Sequence, residues 1–225
     1  MTGPLLSLRG ITKAYGNPGE TAPVFEDLDF DLHRAEFACL LGPSGSGKST
    51  ILSLIAGLMN PDRGRVSFDG QDLAELTDNQ RARLRSTRIG VVLQSGNLVP
   101  FLTAAENVAM AARLSGIDVS AARVRGLLEG VGMADRSGHL PRRLSGGEAQ
   151  RVGLAIALVH EPDLLLADEA LGPLDSQTAR LVMETLDAAR RKRGLAMLLV
   201  THNREVAALG SRTVELIDGR LEDIS

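Results

Sequence analysis

The sequence of 225 residues has a single cysteine, a single tyrosine and no tryptophan. It also has no apolar run of the roughly 18 residues that a bilayer-spanning helix needs. Its longest candidate, LAMLLV at 195–200, has the length of a strand, so no membrane span is read here and a membrane role would have to come through another polypeptide. One cysteine permits no disulfide within the chain, as expected for a reducing compartment. Cys39 lies inside the apolar run FACLL, where a small buried residue is expected rather than a reactive thiol. Positive charge is not in surplus either: 25 Lys and Arg face 28 Asp and Glu, a net charge of -3. No global field would gather nucleic acid or an anionic membrane, and no nucleic-acid partner is expected. The basic cluster RRKR at 190–193 stands just before Gly194, where cations complement a helix C-terminus, and it reads as a solvated helix end. The opening MTGPLLSLRGITKAYG has no basic segment followed by an apolar one, so no signal peptide is read and the chain is expected in the cytoplasm. There is no internal repeat and no low-complexity tract.

What is present is an ordinary globular balance, 44% hydrophobic and 24% charged, in a chain long enough to bury a sizeable core. The segments LLSLRGI and VFEDLDFDLH, the latter with Val24, Leu28, Phe30 and Leu32 largely on alternate positions, predict half-buried antiparallel strands. After Phe37 the alternation stops. FACLL, GVVL, DLLLA and AMLLV are short continuous apolar runs, as in parallel strands covered on both faces, and helical patterns lie between them. From about residue 95 to residue 160 the reading is helical throughout, including TAAENVAMAARLSG and SAARVRGLLEGVG. The expected organisation is one α/β domain over 1–225: a core of 1–94 and 161–225 with an N-terminal antiparallel β part, and an inserted helical subdomain of about 95–160.

The stretch GPSGSGKST runs from Gly42 through Pro43, Ser44, Gly45, Ser46, Gly47, Lys48 and Ser49 to Thr50, directly after an apolar strand and before a helical pattern. It satisfies G-x-x-x-x-G-K-[ST]. Glycines at 42, 45 and 47 let the backbone aim several N–H groups at one anion, and the helix that follows adds its positive end. Lys48 is placed to neutralise β- and γ-phosphates and the Ser49 hydroxyl to ligate Mg²⁺. The loop is read as the cradle of a nucleoside triphosphate. DLLLADE delivers Asp168 and Glu169 at the end of a buried strand; Asp168 can hold a metal's water shell and Glu169 can polarise an attacking water, although acidic pairs also end strands as solvated turns. LSGGEAQ, 144–150, opens a helix with Ser145 as a cap and Gly146 and Gly147 behind it; this is either an ordinary capped helix or a second anion site. One triphosphate does not need two cradles from one chain, which leads to two copies arranged head to tail.

In this order, residues 42–49, Gln94, 144–150, 164–169, 174–175 and His202 resemble the Walker A, Q-loop, signature, Walker B, D-loop and switch-histidine motifs of the ATP-binding cassette (ABC) ATPases. The resemblance covers practically the whole chain and implies a P-loop NTPase fold, ATP and Mg²⁺ as ligands, and a dimer that sandwiches two nucleotides. It implies that Glu169 is the general base, that His202 contacts the γ-phosphate, and that Gln94 joins metal and water to the helical subdomain. It further implies that Ser49, Gln94 and Asp168 serve the metal, that Ser145, Gly146, Gly147 and Asp175 reach the partner copy's nucleotide, and that Tyr15 stacks on adenine. NLVPFLTAAENV, 97–108, is similar to a segment of the subfamily that contains LolD and the MacB ATPase domains, with FtsE a close cousin. That implies a homodimer working with a membrane-spanning permease on a separate chain, peripheral on the inner face of the cell membrane. An FtsE-like role, signalling to an envelope enzyme without moving cargo, uses the same motor. A DNA-repair ATPase of the structural-maintenance type would place a long coiled coil where this chain has only 97 positions (145 − 48) between Lys48 and Ser145. Three departures stand out: DEALGPLD with Ala170, Leu171 and Pro173 where DEPTGNLD is usual, bearing on communication between the two sites; Ala35 for a glycine in a turn; and Ser95 with Gly96, bearing on the fit to the membrane partner.

Overall fold

The computed structural model describes residues 3–16, 22–169 and 176–224, which form two compact units, one of residues 1–82 with 196–225 and the other of 83–195. Ala170, Leu171, Pro173 and Asp175 lie outside the described residues.

The first unit opens with β1 (Leu6–Tyr15) and β2 (Ala22–Leu32), paired antiparallel. Leu28, Phe30 and Leu32 are buried on alternate positions as expected, but Phe25 is buried and Val24 only half-buried. The period slips by one because the β1–β2 register shifts at Ile11, Lys13 and Ala14, and Asp27, opposite this stretch, takes a left-handed φ of 55°. β3 (Phe37–Leu41) is buried at all five positions and leads through the glycine loop into α1 (Lys48–Ile55). Ile51, Leu52, Leu54 and Ile55 of α1 are buried. The turn before β3 carries Ala35 at φ 59°, a conformation that costs a residue with a Cβ roughly 1 kcal/mol. Glycine is thus the better residue there, and the departure touches only the turn. β4 (Arg63–Phe68) pairs antiparallel with β1 and with the short β5 (Gln71–Asp72), which completes a sheet in the order β2-β1-β4-β5. α2 (Asp78–Arg88) follows and buries none of its residues.

In the second unit β6 (Ile89–Val92) is followed by α3 (Ala104–Leu114), α4 (Ala121–Gly130) and α5 (Gly146–Leu158), with no strand among residues 95–160. Thr103, Ser120 and Ser145 cap these three helices, each side chain accepting from the backbone N–H three residues on, which satisfies donors that the first turn leaves open. Their apolar stripes meet: Val108 and Ala112 of α3, Leu128 of α4 and Val152 of α5 are all fully buried. β7 (Leu164–Asp168) pairs parallel with β6. α6 (Ser176–Arg193) ends where Gly194 turns left-handed at φ 72°, its N–H closing on the Arg190 carbonyl. The basic cluster is tied locally: Arg190 and Arg191 pair with Asp187, and Arg193 with Glu161.

The chain returns to the first unit with β8 (Ala196–Val200), buried throughout and parallel to β3, then α7 (Arg204–Ala207), β9 (Arg212–Ile217) parallel to β3 on its other side, and β10 (Arg220–Asp223) antiparallel to β9. Cys39 sits in the middle strand of this set, fully buried, and burial pushes its thiol pKa up to about 11, in line with a packing role.

Candidate functional site

Residues singled out in the sequence gather in each unit at the C-terminal ends of parallel strands, where open α/β sheets bind ligands. In the first unit, β3 delivers the loop from Gly42 and the neighbouring β8 delivers Thr201 and His202. His202 is exposed, while the buried Thr201 before it donates its N–H to Leu40 and accepts from Asn203.

The loop is shaped by what it lacks. Gly47 has φ 103°, and a Cβ there would lie 2.3 Å from Val24 Cγ1 and 2.9 Å from Phe25 Cε1, so both the backbone and the space demand glycine. A Cβ on Gly42 would lie 2.9 Å from the Leu216 carbonyl oxygen. Gly47 is also the N-cap of α1, with no side-chain cap and no acidic residue in the first turn, so no protein carboxylate offsets the positive end of this helix from within that turn. Lys48 is 9% exposed and its Nζ donates to the carbonyls of Gly42 at 2.8 Å and Pro43 at 2.7 Å, folding an ammonium back into its own loop. Ser46 Oγ is shielded from solvent and has no hydrogen-bond partner among the described residues. A buried, partnerless hydroxyl beside a buried cation is a costly arrangement that an anion would relieve. Tyr15 is 48% exposed; its hydroxyl lies 3.4 Å from Thr50 Oγ1, and Lys13 Nζ lies 5.9 Å from its ring centroid. Beside the loop opens a cleft of about 700 Å³ walled by Tyr15, Pro43, Ser44, Gly45 and Ser46, with the turn Asp218 to Arg220 opposite.

In the second unit β6 and β7 lie in register, Val92 opposite Ala167, and so bring Gln94, Asp168 and Glu169 to one edge. Gln94 Nε2 donates to Glu169 Oε2 at 3.0 Å, which leaves its amide oxygen as the donor atom for a cation. Asp168 is the last residue of β7 and half-buried. Glu169 has φ 50°, a left-handed backbone that costs a non-glycine residue of the order of 1 kcal/mol. Strain at a carboxylate held by an amide is typical of a functional position. A residue without an assigned role in the sequence reading joins them: Gln150, whose Nε2 donates to the carbonyls of Gln94 at 3.3 Å and Glu169 at 3.1 Å. Its only sequence signal is its place at the end of LSGGEAQ.

The tip of α5 is ordered as a capping box: Ser145 Oγ accepts from Glu148 N, and Glu148 Oε2 accepts from Ser145 N at 2.8 Å. The Ser145 N–H holds the Glu148 carboxyl below its usual range, with the Ser145 hydroxyl, Arg136 and Arg151 assisting. A Cβ on Gly146 would meet nothing within 4 Å, and one on Gly147 only Arg151 Nη1 at 3.8 Å. Neither has a left-handed φ, so nothing among the described residues requires these two glycines. Farther along, Asn97 locks the loop after Gln94 by exchanging hydrogen bonds with both backbone groups of Leu93. Asn107, 2% exposed, bonds Val99, Leu102 and Thr103 and so knots the segment that displays Phe101, 76% exposed.

The family profile described as ABC transporter matches residues 25–172, about two thirds of the chain and most of the motifs just located. The chain belongs to the ABC transporter family. It is an ATPase of the ABC type, and its fold is that of an ABC cassette. It is 42% identical over 224 residues, 99% of its length and 98% of the relative's, to lipoprotein-releasing system ATP-binding protein LolD 2 of Caulobacter vibrioides. It is 44% identical to LolD of Geobacter metallireducens, covering 96% of this chain and 97% of that one. The export ATP-binding/permease protein PvdT of Pseudomonas aeruginosa is 41% identical, and there the cassette spans only 33% of the relative. Among solved structures, a dimeric ATP-binding cassette in a post-hydrolysis state with ADP and phosphate matches with a TM-score of 0.90 at 34% identity, covering 96% of each chain.

Proposed function

We propose that this ABC ATPase is the nucleotide-binding subunit of a membrane transporter, working as two identical copies docked on a separate membrane-spanning permease at the inner face of the cell membrane. The observation that carries the reading is that one chain owns two unlike phosphate-suited ends: the loop with buried Lys48 and orphaned Ser46, and the α5 tip, where open space meets the two glycines. Two copies head to tail use both, with Ser145, Gly146, Gly147 and Asp175 of each reaching the nucleotide held by the other. The dimeric state of the similar ADP-bound cassette supports this arrangement. The names of relatives matched over nearly their whole length, ATP-binding proteins of lipoprotein-releasing systems, support the partnership with a membrane protein.

In this reading Tyr15 stacks on the adenine and residues 42–50 hold the phosphates, with Lys48 neutralising the charge that develops on the transferred phosphoryl group. Glu169 accepts the proton of the attacking water, which His202 helps to orient. The Ser49 hydroxyl, the Gln94 amide oxygen and the Asp168 carboxylate are hard oxygen donors of the type Mg²⁺ takes, and the ion would supply further charge neutralisation between the β- and γ-phosphates. ATP drives the two copies together only by the amount that it binds the closed pair better than the separate copies.

Gly146→Ala tests the sandwich. Because the added methyl meets nothing within 4 Å among the described residues, the melting temperature should be unchanged or raised. ATP-driven dimerisation of the variant, followed by light scattering in a Glu169→Gln background, should be lost; a dimer of parental strength would remove α5 from the nucleotide site. The transporter assignment is tested at Phe101, whose ring stands exposed on a segment stiffened by Asn107, a suitable anchor for a partner. A tagged chain extracted from membranes should bring with it a protein with few spans and a large outer domain. Phe101→Asp should lower that recovery by about tenfold or more. Equal recovery would place the contact elsewhere.

A further inference from the structure

We infer that Gln150 is a positioning residue for hydrolysis, an amide on the second turn of α5 that fixes the backbones of Gln94 and Glu169 against each other. The inference rests on the reading of Glu169 as the base. Three hydrogen bonds close a ring: Gln150 Nε2 to the Gln94 carbonyl at 3.3 Å, Gln150 Nε2 to the Glu169 carbonyl at 3.1 Å, and Gln94 Nε2 to Glu169 Oε2 at 3.0 Å. Both partners of Gln150 are carbonyl oxygens, which can only accept, so its amide orientation is dictated and each of its two hydrogens has a use. The bonds reach 56 and 19 positions along the chain, tying a helix, a loop and a strand end at one point. One of the anchored carbonyls belongs to the residue at φ 50°, so the staple acts where the backbone has most to gain by relaxing and swinging the carboxylate away.

The place of the staple on α5 matters as much as its bonds. Gln150 lies five residues beyond Ser145 (150 − 145), about 7.5 Å along the helix axis. In the head-to-tail pair the Ser145 end meets the partner copy's nucleotide, whereas Glu169 serves the nucleotide of its own chain. A short, capped stretch of helix therefore joins the two, and displacement of the tip by one nucleotide reaches the base at the other through Gln150.

Two substitutions of similar length separate donation from packing. Neither Gln150→Glu, in its ionised form, nor Gln150→Met can donate to the two carbonyls. Both are expected to lower kcat about tenfold or more, with KM for ATP within about twofold of the parent, since the bonds position the base and not the nucleotide. The melting temperature and the ATP-bound dimer formed in the Glu169→Gln background should persist. Parental kcat in both variants would overturn the inference, as would a parallel loss of kcat, ATP affinity and melting temperature in both, the pattern of a residue that only holds the fold. Glu169→Gln assayed alongside distinguishes the two failures. Turnover retained in that variant removes the base itself; turnover lost there but kept in both Gln150 variants removes the positioning role alone.

Discussion

Replacing Glu169 by Gln is expected to leave ATP bound and to stop its turnover, with kcat lower by about three orders of magnitude, the scale of a positioned general base. The substitution keeps the size of the side chain and the Gln94 contact site at Oε2, so the geometry of the second unit should survive. What changes is proton affinity: an amide oxygen cannot take the proton of the attacking water at neutral pH. ATP should then hold two copies together without being consumed, and a long-lived dimer should form in ATP but not in ADP. Rapid-quench measurement of phosphate release and light scattering check the two halves of this expectation. Hydrolysis at the parental rate in the variant would take the base away from Glu169.

Lys48→Ala should act earlier in the cycle, at binding. The ammonium is 9% exposed and rests on the carbonyls of Gly42 and Pro43, two neutral acceptors that a polyphosphate can outcompete by charge. Removing it deletes charge-assisted contacts to the phosphates and should weaken ATP affinity by about 100-fold or more. The same change leaves those two carbonyls without their buried donor, so some loss of stability is expected as well. Lys48→Arg separates the effects, since it keeps the charge but brings a planar fork that suits the narrow loop poorly. Titration with a fluorescent ATP analogue reads the affinity, and unchanged binding of Lys48→Ala would contradict the cradle.

The glycine loop was legible because its cause is local: a strand, three glycines, a lysine and a helix within about a dozen residues leave few backbone paths, and the structure takes the expected one. The fully buried strands β3, β7 and β8 were legible for the same reason, as short apolar runs with no alternation. α2 was not, because it buries no residue and so writes no apolar stripe into the sequence. β4 reads RGRVSF, exposed over its first three positions, and gives no period of two to follow. The slip between Val24 and Phe25 depends on a register shift against β1, which no local pattern encodes. Gln150 is the clearest case on the site itself. Its type and its place on a helix could be read, but its partners lie 56 and 19 positions away and meet it only once β6, β7 and α5 have packed.

The box at the start of α5 has a consequence for how readily two copies can close. Because Ser145 Oγ accepts the Glu148 N–H while its hydroxyl also serves the Glu148 carboxylate, the serine side chain is held in both its hydrogen-bonding roles by one residue of its own helix. The rotamer freedom of this serine is surrendered when the chain folds, well before any second copy arrives. The side chain thus enters the encounter already ordered, and the loss of mobility on closing falls on other parts of the interface.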